Sequence, residues 1–351
     1  MAKKKTSFGK KIFISLLLII AIIALIGGYI GYKTVYQSNV SLNGKKSQFI
    51  YIHTGSTFDN VLNMLSEKNI IINRTTFEWL AKKKHYLNNV KPGRYRILAN
   101  MGNDALINLL RSGKQEPIDF TLNDVRTKEQ LASRVSNKIE ADSISILNAL
   151  NDNDFLQKYG MNKNNIMALF IPGTYQFYWN TSVDEWMGKM AAAYKKVWNS
   201  DRKNEAQKIN FSQTQISILA SIVQAEQSQN NEEKRIIAGL YINRLKRGMP
   251  LQSDPTLIYA SGDFSIARVW DKYKTIDSPY NTYMYKGLPP GPILLPEISS
   301  IDAVLNYDKN NYIYMCAEYG CGKHNFSTNM VEQTANAQKF RKALDKNNIM
   351  R

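Results

Sequence analysis

The chain has 351 residues and a formal charge of +17, with 46 Lys and Arg against 29 Asp and Glu, three His and two Cys. That length admits two domains, or one large domain with additions. With so few scattered histidines a zinc centre is disfavoured, while the charge favours anionic partners such as nucleic acid, acidic lipid or other acidic polymers.

The N-terminus reads "MAKKKTSFGKK", five lysines and no acid, and is followed by 21 uncharged positions, residues 12–32. As a helix that run spans a hydrocarbon core of about 30 Å. The lysines precede it and Lys33 follows. The positive-inside rule therefore leaves residues 1–11 as a cytoplasmic tail and puts everything after Tyr32 outside. A cleaved signal peptide is the competing reading. The run exceeds the usual apolar region of about 7–15 residues and no A-x-A-like site follows it, which favours a retained transmembrane anchor over 12–32. Outside the membrane, nucleic acid drops from the list of partners.

Three stretches then repeat a strand–turn–helix pattern. "SQFIYIHTGSTFDNVLNMLSEKNII" alternates, turns at Thr54–Gly55, and places Phe58, Val61, Leu62 and Leu65 at helical spacing, with Ser56 as the expected N-cap. "RYRILANMGNDALINLLRSG" turns at Met101–Gly102 and carries Leu106, Leu109 and Leu110 on a helix stopped by Gly113. "PIDFTLNDVRTKEQLASRVSNKI" adds Thr127 as a cap before Leu131 and Val135. Such units cannot bury a core singly, so the three are expected to pack together. No residue in them has a catalytic pattern.

From about 144 to 200 the pattern is helical, broken by "LFIPGTYQF" (169–177), a Pro-Gly turn feeding an aromatic strand; Trp186, Met190, Tyr194 and Val197 then recur as core. A helix is predicted over 214–228, with Ile216, Leu219, Ala220, Ile222 and Val223 as one stripe. Glu226 falls inside that stripe and Gln224 outside it. A carboxylate on the core side resists ionisation, as a general acid requires. The plainer reading is a polar residue where the apolar face ends. Asn230 with Glu233 resembles a capping box for the next helix, which ends near Gly248 and Pro250.

Residues 250–296 lose periodicity and fill with Pro, Gly, Tyr, Asn and Ser. Amides, hydroxyls and aromatic faces with few charges suit sugar rings, and a structural loop is the alternative. Asp254 precedes Pro255 and also fits a turn or helix cap. A strand "NYIYMCA" and a hairpin-like turn then lead to "HNFS" and a closing helix over about 330–346. Cys316 and Cys321 are spaced for a small disulfide loop or stand as two free thiols, with Cys316 in the strand.

"ASIVQAE", "AGLYINRLKRGMPLQSDPTLIY", "SPYNTYMYKGLPPGPI" and "HNFS", in this order and spacing, resemble the endolytic murein transglycosylase (YceG-like) family; "GSTFDNVLNML", "KPGRY" and "IPGTY" add weaker matches. The resemblance runs from the anchor to near the C-terminus. It departs at Gln224, where the family often has an acid. It implies an α+β protein with an N-terminal transmembrane helix. A LysM-like βα subdomain (45–120), a connecting βα/helical segment (121–165) and a mixed α+β catalytic domain (166–347) would follow. It further implies a single-pass protein of the bacterial inner membrane, with the catalytic domain outside the cytoplasm. That protein would cut peptidoglycan glycan strands beside cell-wall synthases, without metal or cofactor. Glu226 becomes the catalytic acid, and Gln252, Ser253, Asp254, Thr256, Tyr280, Asn281, Thr282, Tyr283 and His324 shape the sugar subsites or support it. The chemistry implied is lytic, the muramic C6 hydroxyl attacking its own anomeric carbon, so one carboxylate suffices. A hydrolytic muramidase using Asp254 to direct water, and a non-enzymatic glycan-binding scaffold, are the alternatives.

Overall fold

The computed structural model describes residues 8–347, and most of the predicted cytoplasmic tail, residues 1–7, lies outside the described residues. Helix α1 (Phe8–Tyr36) contains the apolar run and extends past both of its predicted ends. It is long and apolar enough to cross a membrane, and its Ile and Leu side chains are exposed. Its last turn is secured by Asn103, whose Nδ2 donates to Thr34 O at 2.9 Å and so satisfies a carbonyl that has no intrahelical donor.

The chain divides into two compact units: the residues up to Ile118 with Phe177–Asn180, and Asp119–Gln176 with the residues from Thr181 on. In the first, β1 (Ser47–Ile52) pairs antiparallel with β2 (Gly93–Leu98), Ile50 opposite Tyr95. Alternation turns Ile50, Ile52, Tyr95 and Ile97 to the buried face. Three helices complete that core: α2 (Phe58–Glu67), α3 (Arg74–Lys83) and α4 (Asn103–Ser112). All four residues expected in the core from α2 are buried. Its cap is Thr57, one residue beyond the expected Ser56, because Thr57 and Asn60 close a reciprocal capping box. Helix α4 stops at Gly113, whose φ of 72° ends it in a left-handed turn, and buries Ile107 rather than Leu109 beside Leu106 and Leu110. Helix α3 escaped the sequence reading. Its signal was Asn73 as cap and the i, i+3 pair Phe77 and Leu80.

The third βα unit does not join the first two. Its strand β3 (Ile118–Leu122) pairs with a later strand, β4 (Gly173–Phe177). Between them come α5 (Lys128–Ser136, capped by Thr127 as expected), α6 (Ser143–Ala149) and α7 (Asn153–Gln157). A strand's backbone groups bond whichever edge lies alongside, and local pattern does not specify that edge.

Helix α8 (Val183–Val197) follows, with Trp186, Met190 and Tyr194 buried and Trp198 filling the place expected of Val197. Next come α9 (Ser200–Lys208), α10 (Gln213–Glu226) and α11 (Asn231–Lys246). The expected irregular segment contains a further helix, α12 (Asp254–Ser261), opened by Pro255 in its first turn. Helix α13 (Ile298–Leu305), the antiparallel hairpin β5 (Tyr314–Ala317) and β6 (His324–Ser327), and α14 (Met330–Lys346) close the chain. Helix α10 is buried all round from Ile216 to Val223, serines included, rather than along one stripe, because it packs against α9, α11, α12 and α13. Ser221 makes this possible, donating to Ile218 O at 2.7 Å and accepting from Ile293 N at 3.1 Å.

Helix α11 carries the loop after α13 at van der Waals distance through Gly239, where a methyl group would collide with Asp308 O and Asn310 Nδ2. Gly239→Ala should therefore destabilise the protein by about 1–3 kcal/mol through overpacking, read as a lower urea midpoint at unchanged m-value.

Candidate active site

All residues of the site belong to the second unit. A cavity of about 260 Å³ is lined by Glu226, Leu240, Tyr241, Arg244, Leu251, Gln252, Asp254, Tyr283, Met315, Cys316, Ala317 and His324. Glu226 is the last residue of α10, and Gln227 turns the chain away with an extended backbone. The half-buried carboxylate thus stands where helix meets cavity. Its Oε1 accepts from Tyr241 Oη at 2.7 Å and from Ser253 Oγ at 2.5 Å. Among the described residues nothing bonds its Oε2. Burial raises the carboxyl above the ordinary glutamate range, opposed by the two hydroxyl donors and by the nearby His324. One oxygen is fixed, the other is free, and the proton is held more tightly than in water.

Tyr241 and Arg244 stand one turn apart on α11. Burial, and then the neighbouring Glu226 charge, push the Tyr241 phenol well above its usual value, so it stays a donor. Arg244 is buried and spends its guanidinium on the chain: Nε donates to Ile313 O at 2.6 Å, and Nη1 to Pro250 O (3.1 Å), Leu251 O (2.8 Å) and Gln252 Oε1 (3.1 Å). This ties the 250–252 segment to α11 and to the start of the hairpin. Gln252 is held with φ 53°, a conformation costly for a side-chain-bearing residue, and its N–H donates to Thr282 O at 3.0 Å. The strained turn directs Ser253 at Glu226.

The residues expected to shape the site fall into two sets. Glu226, Gln252, Asp254, Tyr283 and His324 line the cavity, and Ser253 touches Glu226. Asp254 accepts from Tyr283 Oη at 2.5 Å at the start of α12. Thr256, Asn281 and Thr282 are buried and used internally: Thr256 bonds Thr282 at 2.8 Å, Thr282 Oγ1 accepts from Ser253 N, and Asn281 Nδ2 donates to Lys274 O and Ile276 O. Tyr280 packs its ring on Tyr259, centroids 4.5 Å apart, and is not among the lining residues. Those four build the loop rather than face the cavity. Gln224 likewise points elsewhere, its Oε1 accepting Glu297 N at 2.7 Å ahead of α13. Tyr241 and Arg244 were missed by the sequence reading, although both lie in "AGLYINRLKRG". Their signal was the i, i+3 spacing of two polar-tipped residues on an otherwise buried helix. Glu233 was expected in a capping box. Asn230 does cap α11, but the Glu233 carboxylate bonds His324 instead. Cys316 lines the cavity from β5, and both cysteines are free thiols.

Within an α+β frame, the cavity thus brings together a glutamate at the end of a buried helix with two hydroxyl donors, a second carboxylate at Asp254, and a loop clamped by a buried arginine. Residues 50–339 match the model of the YceG-like family, and the chain belongs to that family. It is 29% identical to the endolytic murein transglycosylase of Bacillus subtilis strain 168, over 90% of this chain and 91% of that one. The proteins of the same name from Streptococcus pneumoniae strains R6 and D39 are 28% identical over 93% of this chain, which spans 64% of their length. The fold is similar to the crystal structure of a yceG-like protein from Listeria monocytogenes, with 27% identity and a TM-score of 0.56, covering 83% of this chain and 99% of that one.

Proposed function

We propose that the protein is a membrane-anchored endolytic lytic transglycosylase. It cleaves the β-1,4 bond between N-acetylmuramic acid and N-acetylglucosamine and leaves 1,6-anhydro ends. The observation that carries this reading is Glu226, whose Oε1 is committed to Tyr241 and Ser253 while Oε2 remains available in the cavity. Family membership and the shared name of the relatives support the substrate. Protonated Glu226 gives its proton to the glycosidic oxygen as the C1–O bond breaks. The resulting carboxylate takes the proton of the muramic C6 hydroxyl, whose oxygen bonds to C1. The acid is regenerated and no water is consumed. Because the nucleophile is part of the substrate, its local concentration is already high.

Of the residues first assigned to subsites, Gln252, Asp254, Tyr283 and His324 are the ones proposed to meet sugar. Ser253 supports Glu226, and Thr256, Tyr280, Asn281 and Thr282 hold the loop. Helix α1 is proposed as a single-pass inner-membrane anchor, residues 1–11 being cytoplasmic and the rest outside. Residues 45–120 are proposed as a LysM-like module holding glycan, residues 121–165 as a connection and 166–347 as the catalytic domain. The anchor would confine cutting to nascent strands beside the synthases that make them. Asp254 lines the same cavity, and this favours hydrolysis as the second reading, with Asp254 directing water. Mass spectrometry of digested glycan strands separates them: anhydro ends are expected, and reducing ends would establish the muramidase.

A further inference from the structure

His324 reaches the cavity from β6 with its Nδ1 2.7 Å from Glu233 Oε1. The partners are 91 residues apart in the chain. Glu233 lies in the first turn of α11 and is only 4% exposed. A carboxylate so placed is costly without a partner. The adjacent Lys234 does not supply one, since its Nζ bonds Ser299 Oγ at 3.3 Å. The imidazole is therefore the side chain that bonds the buried acid among the described residues, and it also faces the site.

We infer that Glu233 is a positioning residue: it accepts the Nδ1 proton of His324 and so keeps the Nε2 lone pair turned towards the cavity that holds Glu226. The inference rests on the reading of Glu226 as the acid of that cavity. An imidazole fixed in this way offers an acceptor to a sugar hydroxyl beside the carboxylate, whereas the opposite tautomer would offer a donor. A carboxylate accepts only, so it calls for a proton on Nδ1, and in the neutral imidazole the lone pair is then on Nε2. Glutamine of the same shape can donate to Nδ1 and stabilise the wrong tautomer, the geometry otherwise unchanged.

Two measurements on the full-length, detergent-solubilised protein test this. Glu233→Gln should lower kcat on isolated glycan strands by about ten- to a hundredfold with KM changed by no more than about twofold, the scale on which partners that orient a histidine act. A kcat equal to that of the parent would overturn the inference. Independently of any variant, ¹⁵N-histidine NMR of the parent has three histidines to resolve. Neutral His324 is expected to carry its proton on Nδ1, and a proton on Nε2 would overturn the assignment even if the variant failed to fold. Should the parent form no anhydro ends, the functional reading fails while the tautomer measurement still decides the role of Glu233.

Discussion

Glu226→Gln is expected to abolish formation of anhydro ends, with kcat lower by about 10²–10⁴ or more, while the protein folds normally and becomes more heat-stable at neutral pH. The amide oxygen still accepts from Tyr241 and Ser253, so the surrounding geometry is retained. The loss is that of one general acid–base group. The stability gain follows from the raised pKa of Glu226, caused first by burial. The fold favours its protonated form. That contribution is fully present below the unfolded glutamate pKa of about 4.3 and is lost as pH rises through the higher folded value. Near neutrality the parent bears the cost of either burying the charge or keeping the proton, and glutamine bears neither. The difference in melting temperature should therefore be largest at neutral pH and shrink on acidification. For a domain of this size each ~1 kcal/mol released is about 2–4 °C. A variant that melts lower than the parent at neutral pH would contradict the burial account, and one that still cuts at the parental rate would remove Glu226 from the mechanism. Activity of the parent should decline as pH rises through the same raised value, because the first step needs the proton.

The second large effect is expected at Arg244. Arg244→Met keeps most of the volume but withdraws the donors that serve Ile313 O, Pro250 O, Leu251 O and Gln252 Oε1. Unpaired buried acceptors cost about 1–3 kcal/mol each, and partial relaxation brings the expected total to about 3–5 kcal/mol. Thermal unfolding should register this as a fall of roughly 6–20 °C. The functional loss should exceed the stability loss. Without the guanidinium the φ of 53° at Gln252 is left to the backbone bonds with Thr282, and Ser253 is expected to leave its 2.5 Å contact with Glu226. Arg244→Lys should recover little, since one ammonium cannot serve acceptors spread over both edges of a planar fork. Assays at a temperature where the variant remains folded separate the two losses: parental kcat there would make Arg244 a purely structural residue.

Much of this was legible in the chain because it depends on neighbours a few residues apart. The apolar run from 12 to 32, the alternation of "SQFIYI", the Thr127 cap and the Gly113 stop are all local. They emerge as α1, β1, the start of α5 and the end of α4. The inward tendency of Glu226 was legible for the same reason, being four residues from Ile222 and seven from Leu219 on a 3.6-residue helix. Even there the pattern misled in part. From Ile216 to Val223 helix α10 is enclosed on every side, Ser217 and Ser221 included, where a single apolar stripe was expected.

What the sequence by itself determined is the elements with clear local signals, among them α1, β1, α5 and α10, the one helix among the described residues long enough to span a membrane, and the position of Glu226 at the end of a buried helix. The tertiary structure alone decided which edge β3 joins, which of the loop residues face the cavity and which hold the loop together, and what surrounds Glu226. Tyr241, Ser253 and His324 come to one site from α11, the α12 cap and β6, at separations of 15 and 27 residues from Glu226 for the two hydroxyl donors. Helical and strand periodicities run over a few residues and carry no information at that range. Hydrogen bonds there are chosen by which buried polar groups must be satisfied once the core has closed. Glu233 shows the difference most plainly. Its place in the first turn of α11 follows from local pattern, whereas its partner on β6 exists only in the folded molecule.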